Sequence, residues 1–248
     1  MPPIAFEWRS AAVDEGEPDV KLVFAVLRVV VAISILAAIV AQLQLSLHVW
    51  QTQGVRNVAL QVVNFFSFFT IDSNVASVVI LAIGAGLLLA GRTDVPRYTL
   101  LRAIVVSYMV VTGIVYNLLL RGIELPQGST VPWSNEILHV VGPLYLLLDW
   151  LFAPGRSPLP WRSIRAIVVF PIVWVVYTLV RGPFTISEIT HKPWYPYPFL
   201  DPATSPEGYA SVAFYVILIA VTIGATGAGV VWVSRRVPAT PAAPAVPA

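Results

Sequence analysis

Long apolar runs separated by short polar segments dominate the chain, and their lengths predict membrane helices. About 20 apolar residues are needed to cross the hydrocarbon of a bilayer as a helix, and the first run, 22–41, supplies that length. We predict an all-α, six-transmembrane helix bundle joined by loops, the first of them at 43–61. The predicted spans cover residues 22–41, 59–90, 99–120, 135–153, 164–180 and 209–233.

The second run carries a cluster of polar side chains in its first half. Its helix is expected to start near 59–65, and its length indicates that it is tilted or broken near this start. At about 100° of rotation per residue of helix, four of these side chains fall within roughly 120° of one another. The four are Asn64, Ser67, Thr70 and Asn74. The pattern predicts a membrane helix with one wet or hydrogen-bonded face, from which Asp72 points away.

Composition supports a membrane protein and narrows the chemistry. The chain has 248 residues, of which 57% are hydrophobic and 11% charged, whereas soluble domains carry about 25% charged residues. A net charge of +2 is too small to predict a nucleic-acid partner. The absence of cysteine excludes disulfides, thiolate metal sites and cysteine catalysis. The three histidines are scattered without the spacing of metal ligands, so we predict neither a metal nor another cofactor.

Basic residues are distributed unequally between the two sides of the predicted bundle. Six spans place both termini on one side, which carries 11 Lys and Arg residues against 4 on the other. Because cytoplasmic loops are enriched in Lys and Arg, we predict a multi-pass protein of the cell membrane with cytoplasmic termini. It comprises a cytoplasmic tail (1–20), a six-helix transmembrane domain (21–236) and a Pro/Ala-rich tail (237–248) that is predicted to be disordered.

This topology brings polar residues of several spans to the outer half of the membrane. Polar groups are costly in lipid and should face one another, so we predict one polar pocket there, with membrane lipid as its partner. Its candidate members, besides the stripe on the second span, are Asn117, Asn135, Glu136, His139, Arg181, Tyr197 and Asp201.

Two charged residues in the predicted spans have separate expectations. Arg28 lies about one and a half turns into the first span and is expected to snorkel to the inner headgroups, unless it is a functional charge. Asp149 lies near the inner end of the fourth span, which Gly142-Pro143 is expected to interrupt. We expect Asp149 to pair at the surface with Arg156 or Arg162.

Three short motifs of the chain are Asn135-Glu136-Ile137-Leu138-His139 with Asp149 ten residues on, the loop at 194–201 (WYPYPFLD), and Phe68-Phe69-Thr70. In these motifs the chain resembles the androgen-induced protein family of membrane hydrolases. The resemblance implies a six-helix protein that cleaves fatty acid esters of hydroxy fatty acids with an intramembrane threonine nucleophile and a histidine. It assigns these roles to Thr70 and His139, while Ser67, one turn earlier, is an alternative hydroxyl.

The implied chemistry is physically reasonable. A hydroxyl needs a nearby base to attack an ester, and neutral imidazole supplies one near pH 7. Asp201 or Glu136 would orient the imidazole. The candidate donors to the oxyanion are Asn64, Asn74, Asn117 and Arg181.

The same residues also fit roles without catalysis. Serine and threonine in helices commonly bond to their own backbone, and His139 near a helix start fits a structural or interfacial histidine. The aromatic loop fits a rigid interfacial cap as well as a substrate lid. The alternatives to a hydrolase are therefore a lipid-binding or small-molecule-binding or transport protein, and a structural membrane protein.

Overall fold

The computed structural model describes residues 17–92, 94–123 and 130–236, and these residues form an all-helical structure. Both predicted tails lie largely outside the described residues. The first helix already begins at Glu17, so residues 17–20 are helical rather than part of the tail. The helices are α1 (Glu17–Thr52), α2 (Val58–Phe65), α3 (Phe69–Leu89), α4 (Pro96–Val115), α5 (Pro132–Glu136), α6 (Gly142–Phe152), α7 (Ser163–Arg181) and α8 (Tyr209–Arg236).

Within the described residues, five helices are long and apolar enough to cross a membrane. They are Val20–Thr52, Phe69–Leu89, Pro96–Leu120, Ser163–Phe184 and Tyr209–Arg236. The chain therefore has the architecture of a multi-pass membrane protein. The predicted fourth span, 135–153, is also helical, as α5, a π-helical turn (Ile137–Val141) and α6 in succession. It is not among the five, so the count of six crossings stays a prediction.

The first helix is longer than predicted. It continues to Thr52 through most of the segment 43–61, so the prediction of a loop starting at Leu43 was wrong. The polar residues of this extension are accommodated by contacts that the sequence does not show. The Gln42 side-chain oxygen accepts a hydrogen bond from the Val131 amide at 3.0 Å, and Trp50 is buried in the core.

Of the two alternatives for the second run, a tilted or a broken helix, the structure shows a break, and this break lies inside the polar segment. α2 ends at Phe65 and α3 begins at Phe69, with Phe68 in extended backbone conformation. Two tertiary contacts stabilise this break. The ring of Phe68 packs edge-on against Trp194 at 5.8 Å, and the Ser67 carbonyl accepts a hydrogen bond from the Trp174 indole at 3.1 Å. The prediction of one continuous polar stripe from Asn64 to Asn74 was therefore wrong.

The helix that contains Gly142-Pro143 is not interrupted there. A π-helical turn over Ile137–Val141 precedes α6, and Pro143 occupies the first turn of α6. Proline lacks the N–H that would continue this helix, and the Leu138 carbonyl, five residues earlier, accepts a hydrogen bond from the Asn74 side chain at 3.1 Å instead.

A buried ion-pair network joins α1, α4 and α6. Arg28 is fully buried, and its Nε and Nη2 donate to the two carboxylate oxygens of Asp149 at 2.8 and 3.1 Å. Arg102 donates to Asp149 at 2.9 Å and also pairs with Asp94. Arg28 therefore does not snorkel, and Asp149 pairs inside the bundle rather than with Arg156 or Arg162. Both expectations were wrong, because burying an arginine and an aspartate as an ion pair costs less free energy than burying either charge alone.

Gly182, at the end of α7, allows the aromatic loop to lie against the helix. A Cβ at this position would overlap the ring of Tyr195. We therefore expect Gly182→Ala to lower the free energy of unfolding by about 1–3 kcal/mol, the range for overpacked sites. Denaturant unfolding of the purified protein, followed by tryptophan fluorescence, measures this difference.

Gly86→Ala is the matched control for Gly182→Ala. Gly86 lies within α3, and a Cβ there would meet no atom within 4 Å. Alanine at this helical position should raise stability by about 0.5–1 kcal/mol. Equal stability of the two variants would show that the contact between Tyr195 and Gly182 does not hold the loop.

Candidate functional site

An apolar cavity of about 340 Å³ lies between α3, α4, α7, α8 and the segment 197–200. This volume is within the range of about 300–1,000 Å³ that is typical of small-molecule sites. Its lining is mostly aliphatic and aromatic, which suits an apolar chain. The side chains that form its walls include Phe69, Val111, Val168, Trp174, Leu200, Val216 and Ile223.

Hydroxyl groups interrupt this apolar lining at Thr70, Thr112 and Tyr197. Thr70 Oγ1 lies 3.2 Å from the phenol oxygen of Tyr197, and the Thr70 amide donates to the same oxygen at 3.1 Å. Because the phenol oxygen accepts from this amide, its own proton is available to Thr70 or to a ligand. The hydroxyl of Thr112 is buried and has no hydrogen-bond partner in the described part of the chain.

The helix dipole at Thr70 favours a group that carries negative charge, and Asp72 in the same turn of α3 opposes it as an acidic group. Thr70 lies in the first turn of α3, where backbone N–H groups have no partner within the helix and the helix dipole is positive. Burial raises the pKa of Tyr197 to about 12. The phenol therefore stays protonated near pH 7, so it can donate a hydrogen bond but cannot act as the base.

Ser67, the alternative hydroxyl, is oriented differently. Its Oγ donates to the Val63 carbonyl at 2.7 Å and lies 3.0 Å from the Tyr177 hydroxyl. It is not among the residues that line the cavity. Of the two hydroxyls that the sequence left open, Thr70 is the one that reaches the cavity.

His139 lies in the segment next to Thr70 but outside the cavity lining. Its Nδ1 is 2.9 Å from the Asn135 carbonyl, and its ring stacks on Tyr116 with 4.1 Å between centroids. The Asn74 amide nitrogen bridges the two segments, because it donates to the carbonyls of Thr70 at 2.8 Å and Leu138 at 3.1 Å. The Thr70 hydroxyl and the imidazole are not hydrogen-bonded to each other among the described residues.

The residues expected to orient the imidazole have other partners. Glu136 forms an exposed ion pair with Arg121 at 3.1 Å, and Arg121 also donates to Asn117 at 2.9 Å. Asn135 donates to the Tyr116 hydroxyl. Asp201 accepts from the Ala203 amide at 2.9 Å and caps a short 3₁₀ turn. Neither Glu136 nor Asp201 contacts His139 through a hydrogen bond in the described residues.

A further polar group forms around the end of α7. Arg181 Nη2 donates to Asn64 at 2.6 Å, and Asn64 donates to Gln61 at 3.3 Å. The guanidinium lies 5.2 Å from the ring centroid of Trp194. The predicted single pocket is therefore divided into this group, the Thr70–Tyr197 pair and the group around His139, with Asp201 outside all three.

Sequence reasoning missed Gln61 beside Asn64, Tyr116 beside His139 and Thr112 in the cavity lining. Gln61 lies three residues before Asn64, a spacing at which helical side chains meet, so the pattern itself offered a signal. Thr112 lies in an apolar helix interior, where nothing in the local sequence distinguishes it from a threonine bonded to its own backbone.

The fold and site define a class: a multi-pass, all-helical membrane protein with an apolar cavity between its long apolar helices. Within residues 17–92, 94–123 and 130–236, no group of three His, Cys, Asp or Glu side chains is placed to hold a metal ion. No family model matches the chain, and no curated protein or solved structure matches it either.

Proposed function

We propose that the protein is an intramembrane hydrolase of fatty-acid esters, with Thr70 as its nucleophile. One observation carries the proposal. The Thr70 hydroxyl opens on an apolar cavity at the positive end of α3, beside a phenol that can donate a hydrogen bond. The resemblance to the androgen-induced protein family leads to the same threonine independently of this geometry.

The cavity suits an acyl chain that enters from the bilayer. Two of its lining residues, Ile172 on α7 and Ala220 on α8, are exposed on the outside of the described helices. An acyl chain gains little by moving from lipid into an apolar cavity, because lipid tails are as apolar as leucine. Selectivity must then come from the polar end of the substrate, where Thr70 and Tyr197 supply the hydrogen bonds.

The reaction would proceed in two steps. Thr70 Oγ1 forms a bond to the ester carbonyl carbon and its proton passes to a base, and the ester C–O bond breaks as the leaving alkoxide takes up a proton. Water then hydrolyses the acyl-threonine and releases the fatty acid. Tyr197 is one candidate donor to the oxyanion, and the Thr70 amide, which donates to the Tyr197 oxygen in the free protein, is another.

His139 is the base that the family resemblance supplies. The Asn74 bridge holds its segment against that of Thr70. Catalytic hydrogen bonds are often formed only once substrate is bound, so a base in the adjacent segment is compatible with the structure of the free protein. The proposed active site therefore comprises Thr70, His139 and Tyr197.

The proposal includes the membrane topology. We propose that the helical segment 132–152 is the sixth crossing, in addition to the five long apolar helices of the described chain. With six crossings, the excess of Lys and Arg on the terminal side favours cytoplasmic termini. Thr70 and His139 then lie in the outer half of the bilayer.

A second candidate function is non-catalytic binding of a lipid. It is favoured by the position of His139, whose ring is stacked on Tyr116 and bonded to the Asn135 carbonyl rather than lining the cavity. In this case the Thr70–Tyr197 pair would hold the polar end of a ligand without attacking it.

Labelling with a fluorophosphonate probe distinguishes the two functions. We expect the probe to modify the native protein in isolated membranes and to fail to modify Thr70→Ala. The matched control is Ser67→Ala, which removes a hydroxyl outside the cavity and should label like the native protein. Equal labelling of Thr70→Ala and the native protein, or no labelling of either, would contradict the assignment of Thr70 as nucleophile.

A further inference from the structure

The polar group at the end of α7 holds a positive charge that has no carboxylate partner among the described residues. We call it the Arg181 cluster, and it consists of Gln61, Asn64, Tyr177, Arg181 and Trp194. Elsewhere in the described chain, Arg28 and Arg102 pair with Asp149, and Arg121 pairs with Glu136. The buried Arg156 has no carboxylate partner among the described residues and lies against Trp150. Arg181 instead donates to an uncharged amide and lies against two aromatic rings.

The atoms of this cluster that have no hydrogen-bond partner in the described residues are donors. Arg181 Nη1 and Gln61 Nε2 are both buried and have no partner in the described part of the chain. Gln61 as a whole is 4% exposed. The acceptors of the cluster are used, since Asn64 accepts from Arg181 and Gln61 accepts from Asn64. One guanidinium nitrogen and one amide nitrogen are therefore free to donate, and they fit an anionic ligand, because buried donors without partners are costly.

The Arg181 cluster lies on the same face of α7 as one wall of the cavity. Trp174 lines the cavity, and Tyr177 and Arg181 follow it at three and seven residues, a spacing that places all three on the same face. At 1.5 Å per residue, Arg181 lies about 10 Å along the helix from Trp174. Ser67 joins the two ends, because its carbonyl accepts from Trp174 and its hydroxyl lies 3.0 Å from Tyr177.

We propose that the Arg181 cluster binds the anionic end of a single-chain amphiphile whose apolar chain lies in the cavity. The anionic end is a carboxylate or a phosphate, for which the planar fork of arginine supplies paired donors. This inference rests on the proposed function only in that the cavity takes an acyl chain, and it does not require that the chain be hydrolysed.

Equilibrium binding of three ligands with the same chain tests the proposal. The probes are radiolabelled dodecanoate, dodecyl phosphate and 1-dodecanol, measured at pH 8 with the protein in phosphatidylcholine nanodiscs and corrected for protein-free nanodiscs. Both anions should bind more tightly than the alcohol. Arg181→Gln should weaken binding of both anions by about tenfold or more, as expected for a lost charged hydrogen bond, and should leave dodecanol within about twofold.

Two further variants keep the test sharp. Arg121→Gln is the matched control, because it removes an arginine that is exposed and paired with Glu136, and it should leave all three affinities unchanged. Arg181→Lys should retain part of the preference for anions, since it keeps the charge but loses the fork. A partial rescue of this kind separates a lost ligand contact from misfolding of Arg181→Gln.

The outcomes also separate this inference from the proposed function. Val175→Trp fills the cavity from α7 and should weaken binding of all three ligands. If only Val175→Trp weakens anion binding, the Arg181 site is wrong and the acyl cavity stands. If no ligand binds above the protein-free background, both are wrong. If inorganic phosphate displaces dodecyl phosphate as effectively as unlabelled dodecyl phosphate does, the ligand is a free anion and the proposal of an amphiphile is wrong.

Discussion

Asp149→Asn is expected to lower the free energy of unfolding by about 3–5 kcal/mol, the usual cost of removing one partner from a buried ion pair. The Asp149 carboxylate accepts hydrogen bonds from Arg28 at 2.8 and 3.1 Å and from Arg102 at 2.9 Å. Both arginines are buried, so asparagine would leave them with Asp94 as the remaining buried carboxylate. The penalty comes from the arginines that lose their counter-charge.

Denaturant unfolding of the purified protein in mild detergent measures this loss. Glu136→Gln is the matched control, because Glu136 pairs with Arg121 at the exposed end of the same helical segment. An exposed pair contributes about 1 kcal/mol or less. If Asp149→Asn and Glu136→Gln unfold at the same denaturant concentration, the network does not hold α1, α4 and α6 together.

This network shows what a single sequence can and cannot predict. Arg28 and Asp149 were both visible as charges within apolar runs, and each had to be satisfied in some way. The two residues are 121 positions apart, and no local pattern joins them. The sequence therefore predicts a surface position for each charge, whereas the packing of the helices pairs the two charges with each other inside the bundle.

Apolar runs located the helices because length and hydropathy are local properties of the chain. The ends of the helices were harder to predict, because tertiary contacts decide them. α1 continues past residue 42 to Thr52, and the Gln42 side chain at the start of this extension accepts a hydrogen bond from the Val131 amide. The break before α3 lies at residues 66–68, where the Trp174 indole donates a hydrogen bond to the Ser67 carbonyl. Neither partner can be identified from the segment that changes.

The candidate site was predicted as a set of polar residues but not as an arrangement. Thr70 and Tyr197 were both named from sequence, and their hydrogen bond depends on how the aromatic loop folds onto α3. The expected single pocket assumed that polar groups at the same depth meet one another. In the structure these polar residues form separate hydrogen-bonded groups, because each bonds to a residue close to it. Glu136, for example, pairs with Arg121.

Thr70→Ala is expected to lower turnover of a long-chain ester by at least about 10³-fold, since loss of a nucleophile costs orders of magnitude in the rate constant. The measurement is release of p-nitrophenol from p-nitrophenyl dodecanoate by protein in nanodiscs. Thr70→Ser keeps the hydroxyl and should retain measurable turnover. Tyr197→Phe removes one candidate oxyanion donor, a change that typically costs about 10²–10³ in the rate constant.

Thr178→Val is the control for this series. The Thr178 hydroxyl is buried without a hydrogen-bond partner in the described chain and does not line the cavity. Its replacement by an isosteric side chain should therefore leave turnover unchanged. Turnover that persists in Thr70→Ala would contradict the hydrolase proposal and favour the binding function. If turnover is lost in Thr70→Ala but is unchanged in Tyr197→Phe, the assignment of Thr70 as nucleophile stands. The backbone N–H groups of α3, rather than Tyr197, would then stabilise the oxyanion.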